Sequence, residues 1–583
     1  MGPFFRMNNL SQDEINTQLF FFAKEAIRTI VLESKCGLVS SIKSYKRLSS
    51  NNDISINSNI SPLLCVYKKA SPNYIHSKNS NGFDEDTFRK EINPTTNALM
   101  TLSILELADY YGNFRGKDKS LYAFHDIYEK LAKEQLEFYS VNLRSADGTF
   151  TSKKNNGENN YKNFNLSDKD KKFKFSDQAY MMLAYYLYSL KNPESDVYDA
   201  YKAFAMEILQ VFVEYKDKLY DTSLDEICKI LLAFNVLYSY DALDDLKLLI
   251  IDFADYAMNK LDEKDYYVEE LDTVCLCSIA LSLSYKHTNI LSFFDKTSEI
   301  INKLFDLYDA KNETFYKLSS KKDIKYSCFD INFYFLAFVI YSDINENKSS
   351  YKDLISSIYK KFFISSGIIT SWPEAPTLDD YERYRGYSLK SADMLSETYF
   401  KMSNLPTPSS SGTAPIFIKS VNYNKRKDEF TPNRTSFDSY KNFFLFYLFI
   451  FFFKDECINN LYNSSYGTDP FPLKTETTSN IVTSTTTSNT TDNSMVESNM
   501  IPNTDNSMVE SNMIPNNDIS AVEDKSNLTD NPADLSEDIY YTLNNSSTDI
   551  LNNDTNDDSS SDNYINRDDN SEADSVMNEN KED

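Results

Sequence analysis

The 583-residue sequence predicts an all-α protein of six helical hairpins, followed by a disordered acidic tail. Three observations carry this expectation. Helices that are apolar almost all the way round recur along the chain, and such helices must be buried on every side. Each is paired with a more polar helix that has a single apolar face. Connections from an apolar helix to its partner are short, whereas several return connections are long: 34–93, 142–175, 309–328 and 364–385. In an antiparallel array the long loops then share one end, where the apolar helices start, and long loops on a rigid scaffold are where binding and catalysis concentrate.

In order, residues 12–33 read as an amphipathic helix, followed by a polar, Ser/Asn-rich insertion to about residue 92. Asn93-Pro94-Thr95-Thr96-Asn97 supplies cap residues and a first-turn proline for an apolar helix over 95–110. The helix 118–141 places Leu121, Phe124, Ile127, Leu131 and Phe138 on one face. Apolar helices follow at 177–190, 224–239, 271–286, 329–342 and 386–402, with one-faced partners at 195–214, 243–261, 289–308 and 349–363. The last apolar helix is the most polar of its set, carrying Lys390, Asp393, Glu397 and Lys401. Three segments result: a helical domain over 1–403, a linker plus Phe-rich helix over 404–465, and a tail over 466–583. The tail is Ser/Thr/Asn/Asp-rich and contains a perfect 13-residue tandem repeat at 491–503 and 504–516. It offers too little apolar surface to offset the entropy of ordering.

Of the net charge of −27, the segment 471–583 holds most, with 24 acidic against 4 basic residues. The body is therefore only mildly acidic, and nothing favours nucleic acid as a partner. The seven cysteines are scattered without a CxxC pair, as expected of buried free thiols in a reducing compartment. The N-terminus shows no secretory signal, so a cytoplasmic location is expected, with surface association as the alternative. The apolar run 443–453 would span about 16 Å as a helix against a hydrocarbon core of about 30 Å, so a packed helix is favoured over membrane contact.

Two short motifs suggest a family. Ala146-Asp147-Gly148-Thr149-Phe150 and Ala310–Phe315 are similar loops, each leading to an apolar helix, and Asp177-Gln178-Ala179 opens one of those helices. Together with the hairpin count, they resemble the six-hairpin (α/α)6 toroid of many glycoside hydrolases, sugar epimerases and polysaccharide lyases, over residues 12–403. The resemblance implies a carbohydrate-active protein, with glycoside hydrolysis as the candidate chemistry, acting on an oligo- or polysaccharide at the mouth of the toroid. A non-catalytic scaffold binding a polysaccharide or protein through the same face is the alternative.

On that reading the mouth collects residues at the starts of the apolar helices: Thr96, Asn97, Asp177, Asp225, Glu226, Asp272, Asp330 and Asp393. Asp177, Asp225, Glu226 and Asp272 are the catalytic candidates, because a pair of carboxylates can serve as general acid and general base, about 6.5–9.5 Å apart for inversion. Asp, Ser and Thr are also ordinary helix caps, so capping competes with catalysis at each position. Asp330 and Asp393 are substrate-binding candidates, with Trp372, Glu374, Tyr384 and Arg385 from the loop 371–388, whose lone Trp could stack on a sugar ring. Seven lysines in 151–174 would favour an anionic polymer if that loop overhangs the mouth. No cofactor and no metal ligand set is expected. Neither HExxH, GxSxG, Walker nor GxGxxG patterns occur.

Overall fold

A computed structural model describes residues 11–40, 60–77, 80–160, 162–169, 173–318, 323–345, 351–373, 382 and 412–463. Twelve helices of more than one turn make up its framework. They are α1 (Gln12–Glu33), α2 (Pro94–Gly112), α3 (Lys119–Asn142), α4 (Phe175–Lys191), α5 (Tyr198–Glu214) and α6 (Leu224–Tyr240). They continue as α7 (Asp244–Leu261), α8 (Leu271–Thr288), α9 (Leu291–Asp306), α10 (Cys328–Ile344), α11 (Lys352–Ile358) and α12 (Ser439–Asn463). Helix α11 runs on into a π-helical turn, Tyr359–Ile364.

The even-numbered helices form the inner ring. Helix α2 packs on α4, α4 on α6, α6 on α8 and α8 on α10, and α12 fills the place between α10 and α2. Helices α3, α5, α7, α9 and α11 lie outside, and α1 completes the outer layer by packing on α12. This is an (α/α)6 toroid. Burial explains the two kinds of sequence: in α10 every residue from Cys328 to Ser342 is buried, whereas α9 buries Phe293, Thr297, Ile300, Ile301 and Leu304 on one face. The expected helix limits hold to within a few residues in all five predicted hairpins from α2 to α11.

The sixth inner helix differs from expectation. The segment 386–402 lies outside the described residues, and the Phe-rich segment, expected as a packed helix following the helical domain of 1–403, takes the sixth inner place as α12. Phe443 to Ile450 and Phe453 are buried there. Phe446 lies 5.8 Å from Phe22 of α1 and 6.0 Å from Phe417, and Phe444 lies 6.0 Å from Tyr180 of α4. The run 443–450 therefore has no side free for a membrane, and no described helix is long and apolar enough to cross one. Closure pairs the last described helix with the first, so the hairpin α12–α1 joins residues about 440 apart, as in the hydrogen bond from Asn16 to Glu456.

Short strands decorate the end at which the inner helices begin. A four-stranded antiparallel sheet runs in the order Asp323–Ser327, Ile418–Asn424, Glu429–Asp438, Lys69–Ala70. Two of its strands lead straight into α10 and α12. The stretch expected as a polar insertion contains a buried strand, Leu63–Val66, paired antiparallel with Gly37–Val39. All seven cysteines are buried and free.

Because α12 supplies one sixth of the inner wall, a chain ending at residue 403 should lack a cooperative urea transition by near-UV circular dichroism. One ending at residue 465 should show it. Equal cooperativity in both would contradict the assignment of α12 to the ring.

Candidate active site

The inner helices all start at the end that carries the sheets, so their first turns converge there. Two of the acids expected to be catalytic hold neighbouring helices together. Asp177, in the first turn of α4, accepts the Thr95 backbone N–H at 2.9 Å and also the Thr95 hydroxyl, capping the start of α2. Glu226, in the first turn of α6, accepts the Ser176 backbone N–H at 2.8 Å and its hydroxyl at 3.0 Å, capping the start of α4. Each helix thus supplies the cap of the one before it, and these bonds satisfy first-turn donors that have no partner within their own helix. Gln178 adds a second tie: it accepts the Phe150 N–H at 3.0 Å and donates to the Phe150 carbonyl at 2.9 Å. The Asp-Gln-Ala motif and the Asp-Gly-Thr-Phe loop are therefore bound to each other, with Gly148 supplying the loop's positive φ of 82°.

A different set remains for chemistry. Asp225, Asp272 and Asp330, on α6, α8 and α10, are close enough for Asp272 to feel both of the others. Asp330 is buried, accepts both the Ser327 N–H of its capping box at 2.7 Å and Lys317 Nζ at 3.0 Å on each oxygen. Asp225 is paired with Lys229 one turn on and its side chain is 42% exposed. Asp272 has no ion pair within 4.0 Å among the described residues, and its carboxylate accepts only the adjacent Thr273 N–H, at 3.1 Å. Burial, then the Asp330 and Asp225 charges, push its carboxyl up to about 6, against the pull of Lys441 and Lys317.

Aromatic rings floor this cluster. Phe444 lies 5.7 Å from Phe329 and from Phe333, and 5.9 Å from Tyr440. Lys229 lies over the Tyr440 ring at 5.5 Å and Lys441 over Phe329 at 4.7 Å. Neither Tyr180, Lys229, Lys317, Tyr440 nor Lys441 stood out in the sequence. Tyr440 and Lys441 open α12, so only recognition of α12 as an inner helix would have drawn attention to them.

Trp372 is not at the mouth. It is 7% exposed, 5.2 Å from Phe22 and 6.4 Å from Tyr359, packed in the core between α1 and the α11 turn. Glu374, Tyr384, Arg385 and Asp393 lie outside the described residues. In the lysine-rich loop, Lys153 is buried and bound to Asp168. Thr96 is bonded to Asn93, and Asn97 accepts the Val66 N–H at 2.8 Å, so both serve the scaffold.

A second charged group lies inside the ring toward the opposite end, also unmarked by the sequence. Glu106 of α2, fully buried, accepts from Lys454 of α12 at 2.5 Å and from the Tyr240 hydroxyl at 2.5 Å. Lys191 of α4 is 3.6 Å away. Burial alone would raise the Glu106 carboxyl, but Lys191 and Lys454 prevail and hold it below its ordinary range.

No family model matches the chain, and no curated protein matches it. Among solved structures, a D-mannose isomerase is similar at 8% identity and a TM-score of 0.42, over 72% of this chain and 97% of that one. The cellobiose 2-epimerase of Bacillus thermoamylovorans B4167 shows 11% identity and a TM-score of 0.40, over 70% and 98%. The endoglucanase of the termite Nasutitermes takasagoensis shows 12% identity and a TM-score of 0.40, over 76% and 98%. Similarity at this level assigns no chemistry, which has to come from the side chains themselves.

Two stability predictions follow from these contacts. Burial pushes the Asp177 carboxyl up from its ordinary value of 3.8 to about 6, so the folded chain binds this proton more tightly than the unfolded one. Its contribution to stability is therefore largest in acid and declines as pH rises from about 4 through about 6. Asp177→Asn keeps an acceptor for Thr95 without the buried charge, so it should gain about 1–3 kcal/mol over wild type at pH 8 in urea titrations, with the gain vanishing near pH 4. Lys454→Met leaves Glu106 with a buried charge short of one partner and should cost about 3–5 kcal/mol, read as a lower urea midpoint at unchanged slope.

Proposed function

We propose that this chain is a carbohydrate-active protein that hydrolyses a glycosidic bond at the mouth of the toroid, with Asp272 as general acid and Asp225 as general base. The observation that carries the reading is Asp272 itself: a carboxyl with no ion pair among the described residues, pushed up to about 6 by burial and by the nearby Asp330 and Asp225. Such a group is still partly protonated near neutral pH and can give a proton to a leaving group. Asp225, whose side chain is 42% exposed, takes the proton from water in this reading.

The step balances as follows. Asp272 gives its proton to the glycosidic oxygen as the bond to the anomeric carbon breaks. Water adds its oxygen to that carbon and its proton passes to Asp225. Asp330, bonded to Lys317 and Ser327, lies near enough to Asp272 to favour its protonated form.

One observation favours the scaffold reading instead. Asp225 and Asp330 already have lysine partners, as carboxylates with a purely structural duty would. The two readings part on turnover. With a panel of neutral and uronate oligosaccharides followed by mass spectrometry, Asp272→Asn should lower product formation by about 100-fold or more while the chain stays folded. Wild-type turnover should fall as pH rises through about 6, because the acid loses its proton. Binding without any product in wild type would establish the scaffold.

A further inference from the structure

Toward the end of the ring opposite the mouth, the seam between α1 and α12 gathers oxygen acceptors that the proposed reaction does not use. Asn16 of α1 is buried and donates from Nδ2 to Glu456 Oε2 of α12 at 2.9 Å. The other oxygen of each side chain, Asn16 Oδ1 and Glu456 Oε1, is also buried and receives no hydrogen among the described residues. Asp13, one turn before Asn16, lies within hydrogen-bond reach of the Glu456 carboxyl, and Asp343 at the end of α10 is near enough for its charge to be felt. No cation forms an ion pair with Glu456 among the described residues, since Lys454 is taken up by Glu106 and Asp109. The other charged groups around the seam have partners or face water. Glu14 accepts from Ser11 in the capping box of α1, Asp109 of α2 is bound by Lys191, and Asp455 is exposed. Lys24, whose charge reaches the Cys457 thiol, is bound by Glu25 and Glu382, and burial pushes that thiol up so that it stays neutral.

What this spot lacks is a donor. Two carboxylates in contact cannot readily both be ionised, and one proton between them removes the repulsion and supplies the missing hydrogen. A metal ion would also satisfy several oxygens, but no three acidic, histidine or cysteine side chains among the described residues are placed to hold one. We propose that Glu456 and Asp13 form a proton-operated clasp on the seam that closes the ring: a proton shared by their carboxyls holds α1 against α12, and its loss frees α1 to open. Asp13 is exposed, which gives the proton a route to water. Burial and the Asp13 and Asp343 charges push the Glu456 carboxyl up from its ordinary 4.5 to about 7, against the pull of the Asn16 amide. The folded chain therefore binds this proton more tightly than the unfolded one. The clasp contributes fully below about pH 4.5 and is lost as pH rises through about 7. It operates whatever reaction the mouth performs.

Hydrogen exchange of the α1 amides in the full-length chain tests the clasp, with each rate corrected for the intrinsic effect of pH on exchange. In wild type the opening of α1, relative to that of α7, should rise about tenfold or more from about pH 5 to about pH 8. Glu456→Gln still accepts from Asn16 and offers Asp13 a donor at every pH, so its α1 opening should stay low and flat. Asp13→Asn removes the second carboxylate and offers Glu456 an amide, and should shrink the rise. Far-UV circular dichroism checks that both variants fold. A wild-type opening that does not change with pH, or a rise that persists undiminished in Glu456→Gln, would overturn the clasp. If Glu456→Gln does not fold, Asp13→Asn decides alone: a smaller rise supports the clasp and an undiminished one overturns it. Slowing of α1 opening at about pH 8 by calcium or magnesium chloride, in wild type but not in Glu456→Gln, would put a cation in place of the proton and overturn it as well.

Discussion

Closing a ring of six helices requires each one to be apolar on the sides that face both neighbours, the hub and the outer layer. Helix α12 meets that demand with phenylalanine, and the rest of the architecture depends on it. Without it α2 and α10 would each expose a face built for burial, and α1 would have no inner partner. The aromatic side chains are large enough to reach several elements at once: Phe446 meets the first helix and the strand region, and Phe444 meets α4 and α10. Burial of one such side chain is worth about 1.5–3 kcal/mol, which is how a helix distant in sequence from its outer partner is held in place.

The two ends of the ring solve the problem of polar groups differently. At the mouth, the first-turn N–H groups of α2 and α4 are satisfied by acids from the next helix, so Asp177 and Glu226 act as staples between neighbours. Towards the opposite end, Glu106 is fully buried and is balanced by lysines from two other inner helices and by Tyr240. Such a group contributes little net stability compared with an apolar alternative, but removing one partner is costly. It also fixes which face of α12 points at α2, because Lys454 must meet Glu106.

The mouth differs from the staples in having groups that are not used up. Among the described residues Asp272 has no ion pair and Lys441 no carboxylate within 4.0 Å, while Asp225 and Asp330 are each paired with a lysine. Burial and the neighbouring Asp330 and Asp225 favour the protonated form of Asp272, and the proposed proton transfer rests on that. The loop that contains Trp372 contributes to the core instead, because its indole fits beneath α1 beside Phe22.

Periodicity alone determined the helices and their two classes, since all-round and one-sided apolar patterns follow directly from where a helix sits in a two-layer ring. The limits of α2 through α11 were legible for the same reason, and so was the end of the array at which acids gather. Which acids would be free was not legible: Asp177, Asp225, Glu226 and Asp272 are alike in sequence, all first-turn acids of apolar helices. Their roles separate only when Thr95 and Ser176 take up two of them and Lys229 a third. The sixth inner helix was misplaced because local pattern carries no information on which distant segment closes a ring. That choice belongs to tertiary packing, where α12 fills the gap between α10 and α2 and brings Tyr440 and Lys441 to the mouth with it.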